Sequence, residues 1–129
     1  MKLILFLSFN FFLQAADFHY SDGNGNVYKI QKVINKTAFE YIPVKKEASS
    51  SGQYSGGEYK FTLINDEDLK TLIQYFDEAI EDKESHTDRL IKMTGSIRKI
   101  ISKKEKSECI LKNDSVSRKK LEEKLKSLR

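Results

Sequence analysis

Ser49-Ser50-Ser51-Gly52-Gln53-Tyr54-Ser55-Gly56-Gly57 divides the chain. Its three glycines reach backbone angles closed to other residues, and its four serines can bond their own backbone, so the stretch is a loop. Tyr54 is the only bulky side chain within it. With the loop in place, strand-like runs lie on both sides and a helical second half follows. The expected fold is α+β: a small antiparallel sheet of about four strands, packed by an amphipathic helix, with a basic helical C-terminal extension.

Upstream of the loop, Phe18-His19-Tyr20-Ser21 and Val27-Tyr28-Lys29-Ile30 flank Asp22-Gly23-Asn24-Gly25-Asn26. Aromatic and β-branched runs around an Asp-Gly/Asn-Gly cluster predict a hairpin. Strand alternation puts Phe18 with Tyr20, and Tyr28 with Ile30, on one face, and His19 on the other. Phe39-Glu40-Tyr41-Ile42-Pro43-Val44 reads as a third strand that ends at Pro43 or lies at an edge, because proline cannot donate to a ladder. Downstream, Tyr59-Lys60-Phe61-Thr62-Leu63-Ile64 alternates as a fourth strand. Its expected orientation is Tyr59, Phe61 and Leu63 inward, Lys60 and Thr62 outward.

Asn65 or Asp66 then caps a helix whose apolar stripe is Leu69, Leu72, Ile73, Phe76 and Ile80, with Phe76 at the centre of the core. After a bend at Glu84-Ser85-His86-Thr87, the spacing of Leu90, Met93, Ile97, Ile100 and Ile101 predicts a second helix, with Gly95 as its weak point. Asn113-Asp114-Ser115 breaks it and caps a third, carrying Val116, Leu121, Leu125 and Leu128. Cys109, the only cysteine, is expected to be a quiet helical thiol.

Three segments result: a signal peptide at 1–15, an α+β core at 16–84 and the basic helical extension at 85–129. Met1-Lys2, the apolar run Leu3 to Leu13 and the small residues Ala15 and Ala16 follow the order of a secretory signal. Eleven helical residues reach about 16 Å, short of the roughly 30 Å of hydrocarbon in a bilayer, so no transmembrane span is expected after cleavage. The mature chain is then secreted or periplasmic.

Charge is divided unevenly. Residues 16–88 hold 8 Lys against 14 Asp and Glu, and residues 89–129 hold 14 Lys and Arg against 5 acids. A basic tail behind an acidic module either lies on its own acidic half or meets an anionic surface or an acidic partner protein. Nucleic acid is not expected for an exported chain. Self-association through the C-terminal helices, as in a structural envelope protein, is the alternative.

Catalytic patterns fail one by one. Gln53 stands where a nucleophile elbow around Ser55 needs glycine. Gly52 and Gly57 have phosphate-loop spacing, but Glu58-Tyr59 follow where Lys and Ser or Thr must be. Asp22, Asn24 and Asn26 alternate like calcium ligands, yet Val27 replaces the turn glycine and Val33 the bidentate acid. His19, His86 and Cys109 lack zinc-ligand spacing. No catalytic, cofactor or metal residue is assigned, and a small hydrolase using Ser55 or His19 ranks behind both binding and structural roles. Tyrosine with serine and glycine is the composition of recognition loops, which makes Tyr54, Ser55, Gly56, Gly57 and Tyr59 candidate partner-binding residues. The competing reading is that the glycines only permit a turn and Tyr54 covers the core edge.

Overall fold

The computed structural model describes residues 16–49, 51–89, 94–101 and 106–129; the expected signal peptide, Ser50, the segment with Leu90 and Met93, and residues 102–105 lie outside these ranges. The strands are β1 (Asp17–Ser21), β2 (Val27–Val33), β3 (Lys36–Ile42), β4 (Lys60–Leu63), β5 (His86–Thr87), β6 (Gly95–Ile100) and β7 (Lys106–Leu111). They form one antiparallel sheet in the order β4-β3-β2-β1-β6-β7-β5. Two helices, α1 (Asp66–Glu81) and α2 (Val116–Leu128), cover one face of it.

The fold class is α+β, as the sequence predicts, but among the described residues the sheet has seven strands and not about four. The expected helix after residue 85 is replaced by β6 and β7. Ile97 fits helical spacing and strand alternation equally, and β-branched side chains favour the strand. Pairing decides the matter: without β6, the apolar strand β1 would leave one edge of its backbone bare. β6 sets Ile97 opposite Tyr20, and β7 sets Cys109 opposite Ile97. The thiol therefore sits half-buried on a strand and not on a helix, and burial pushes its pKa up.

Phe18, Tyr20, Tyr28, Ile30, Phe39, Tyr41, Ile97 and Leu111 of the sheet meet Leu72, Phe76, Ala79, Leu121 and Leu125 of the helices in one core. Phe76 stacks on Phe18 with ring centroids 4.5 Å apart, at the centre the stripe predicts. The Asn65 side chain accepts the Asp68 amide and caps α1; Ser115 does the same for α2 through Arg118. Val116 departs from its expected stripe and is 72% exposed, so α2 docks through Leu121 and Leu125.

The basic tail lies on its own acidic half. Lys124 pairs with Asp68 at 2.7 Å and Lys120 with Glu78 at 3.5 Å. The Arg129 guanidinium lies 4.7 Å from the centre of the Tyr41 ring. Asp68 is held below the ordinary carboxylate range, first by its hydrogen bond from Lys124. Asp82 is held low by the Ser85 hydroxyl and then by Ser117 of α2. Carboxyls lowered in the folded state contribute stability that is complete above the unfolded pKa of about 3.9 and is lost as pH falls through the folded value. Acidification from about pH 5 to about pH 2 is thus expected to loosen α2 from α1. Amide exchange of α2 against pH checks this, and Asp68→Asn is expected to flatten the profile.

Candidate binding surface

The Ser/Gly loop is tied down from beneath by Asn26, which the sequence suggests only as a turn residue and a failed calcium ligand. This side chain is 1% exposed. Its Nδ2 donates to Asp22 Oδ2 and to the Tyr54 hydroxyl, both at 2.9 Å, and its Oδ1 accepts the Val44 amide at 2.9 Å. One amide side chain thereby joins the β1–β2 turn, the segment leaving β3 and the loop. Asp22 orders the turn itself by accepting the amides of Asn24 and Asn26.

This network places Tyr54 and Gly56. Tyr54 is 37% exposed and its hydroxyl is engaged by Asn26, so it serves partly as a staple. Gly56 donates to the Val44 carbonyl, and its own carbonyl accepts the Tyr41 hydroxyl. A Cβ on Gly56 would overlap Asn26 Oδ1 and come within 2.9 Å of Pro43 Cβ, so glycine is required for close approach. Gly57 has φ +97°, open to glycine at no cost, and no atom within 4 Å of where a side chain would start. Ser55 is exposed and accepts the Gly57 amide through its hydroxyl. Substituting Gly56 would consequently disturb the fold as well as any contact surface.

Tyr59 belongs to a different surface. It is 56% exposed, with Phe61 at 52% and Leu63 at 51%, all directed away from the helices. That reverses the expected orientation of this strand. The β3–β4 register sets Thr62 opposite Phe39 and Lys60 opposite Tyr41, so Thr62 and Lys60 occupy the helix side. Lys60 is accommodated there because its ammonium reaches the Leu128 carbonyl at the end of α2, 2.9 Å away.

β4 is also the sheet's outermost long strand, since the opposite edge, β5, has only two residues. The Ile64 amide donates to Thr37 O at 3.0 Å. Antiparallel pairs alternate in hydrogen bonding, so the backbone groups of Phe61 and Leu63 point to the open edge. Lys60 faces the helices and β4 has no proline, so among the described residues neither an outward-facing lysine nor a proline on the strand blunts this edge. The Tyr59 hydroxyl donates to Glu40 at 2.6 Å, which lays its ring along the outer face.

Among the described residues the titratable groups offer no nucleophile-base couple. His86 Nε2 donates to the Ala79 carbonyl at 2.8 Å. His19 lies on the outer face, and burial, then Lys29 and Arg98, lower its pKa and favour its neutral form. Among the described residues neither histidine is hydrogen-bonded to a serine, and no group of three or more His, Cys, Asp or Glu is placed to hold a metal. No helix among them is long and apolar enough to cross a membrane. No family model, curated protein sequence or solved structure matches this chain.

Proposed function

We propose that this chain is an exported, non-catalytic binding module that takes an extended segment of a partner protein along β4. The observation that carries the reading is the coincidence, on one strand, of outward backbone groups and an exposed Tyr59-Phe61-Leu63 strip. Strand addition uses both: the backbone supplies affinity, and alternate side chains supply choice of sequence. The loop 51–58 rises beside the start of β4, with Tyr54 and Ser55 as further contacts. Burial of Leu121 and Leu125 in the chain's own core favours this reading over the alternative of a helical bundle between copies.

A synthetic peptide alternating apolar and polar residues tests the idea. Binding is expected to slow amide exchange at Phe61 and Leu63 and to weaken about ten-fold or more in Phe61→Lys, a substitution at a half-exposed site that leaves the core intact. N-methylating alternate peptide amides is expected to abolish binding; a methylated peptide of undiminished affinity would rule out strand addition. Export is tested separately by intact mass, which should show loss of residues 1–15 or 1–16.

A further inference from the structure

The β2–β3 hairpin turns at Ile34-Asn35, closed by the pair Val33 and Lys36. Ile34 has φ +58°, the only non-glycine positive φ among the described residues. Two-residue hairpin turns favour asparagine or glycine at such positions, and a β-branched side chain there is strained. Ile34 is also 91% exposed, and Val33 beside it is 41% exposed. Backbone strain and water both work against isoleucine at this tip, which makes the outlier a pointer to function.

What surrounds the tip specifies the partner. Behind it an open cleft of about 1010 Å³ lies between the hairpin and the first half of α1. Lys32, Lys36 and Lys70 line it, over an apolar floor of Ile64, Leu69 and Ile73. Among the described residues none of these lysines is in an ion pair, whereas Lys99, Lys120 and Lys124 each have a carboxylate. Asp66 is the one acid in the lining, and Asp17 is engaged nearby by the Lys32 backbone amide.

We infer that this hairpin tip docks the protein on an anionic phospholipid bilayer, with Ile34 and Val33 entering the acyl boundary and the three lysines meeting lipid phosphates. The order of chemistry along the tip, apolar first and cationic behind, matches the layers of a bilayer. Nucleic acid would offer phosphate without the apolar layer. One isoleucine gives only weak attachment, so the lysines are needed as well, each worth roughly five-fold in affinity. This surface adjoins the Phe61 strip, since Leu63 also lines the cleft, but Ile34 and the three lysines lie outside that strip.

Co-sedimentation with vesicles tests the inference. The protein is expected to bind vesicles of phosphatidylglycerol and phosphatidylcholine, to ignore phosphatidylcholine alone, and to dissociate in about 0.5 M salt. Ile34→Asn separates docking from folding because its two effects have opposite signs. Relief of the strained turn should raise Tm by about 4 °C. Loss of the inserted side chain should weaken vesicle binding about ten-fold. The triple variant K32Q/K36Q/K70Q, at exposed positions, should weaken it about a hundred-fold with little change in Tm. Undiminished vesicle binding by either variant, or equal binding to uncharged vesicles, overturns the inference.

Discussion

Gly95→Ala is expected to destabilise the protein by about 4 kcal/mol, combining overpacking with a disturbed buried hydrogen bond. On propensity alone the sign would be opposite, since alanine in a strand interior is favoured over glycine by about 0.5–1 kcal/mol. Packing overrides that preference. A Cβ on Gly95 would overlap the Tyr20 hydroxyl oxygen and come within 2.7 Å of Cζ. Tyr20 is fully buried and cannot swing aside. Its hydroxyl donates to Glu122 of α2, and Glu122 lies 3.3 Å from the Arg118 guanidinium. Desolvation and the Glu122 carboxylate both raise the Tyr20 pKa, so the phenol stays neutral as donor. Moving the ring would strip Glu122 of that donor beneath α2. Urea unfolding measures the loss, and Tyr20→Phe provides the second edge of a cycle. Phenylalanine forfeits the Glu122 bond but removes the overlapping oxygen, so the double variant should be more stable than the two single losses predict. Strictly additive losses would show that Gly95 is not there to admit the phenol.

Gly95 also shows where sequence reasoning stops. In a helix it is a weak point; in β6 it is the space that admits a tyrosine from β1. Nothing local distinguishes these roles, because the partner lies more than seventy residues away in the chain. The β1–β2 hairpin, the α1 stripe and both helix caps were legible because each is decided by residues within a few positions of one another. The orientation of β4 was not. Tyr59, Phe61 and Leu63 alternate as an inward set would, and only the register with Phe39 and Tyr41 turns them outward. The same holds for the Ser/Gly loop. Composition identifies it, but Tyr54 acquires its staple role from Asn26, a residue of the β1–β2 turn. A buried asparagine has no sequence signature apart from its neighbours, and Asp22-Gly23-Asn24-Gly25-Asn26 accounts for itself locally as a turn.

Asn26→Ala is the second large loss expected, at about 3 kcal/mol. Three hydrogen bonds disappear at once, and the cost is asymmetric because partners are left behind. The Val44 amide loses its acceptor, while Asp22 Oδ2 and the Tyr54 hydroxyl lose a donor. A buried group deprived of its partner costs about 1–3 kcal/mol, whereas an exposed one recovers most of its bond from water. Tyr54 is part-exposed, so its share should be small. Tyr54→Phe, which removes only the hydroxyl from this network, is accordingly expected to cost about 1 kcal/mol or less. The exchange pattern should differ as well. In Asn26→Ala the amides of Val44 and Gly56 should lose protection together, since Gly56 donates to the Val44 carbonyl and both sit on the same support. In Tyr54→Phe they should stay protected. If the two substitutions cost the same, Asn26 is only one contact among several, and the loop is held by the Tyr41-to-Gly56 bond instead. If Asn26→Ala costs several times more and releases both amides, the presentation of the loop beside β4 depends on a single side chain in the β1–β2 turn.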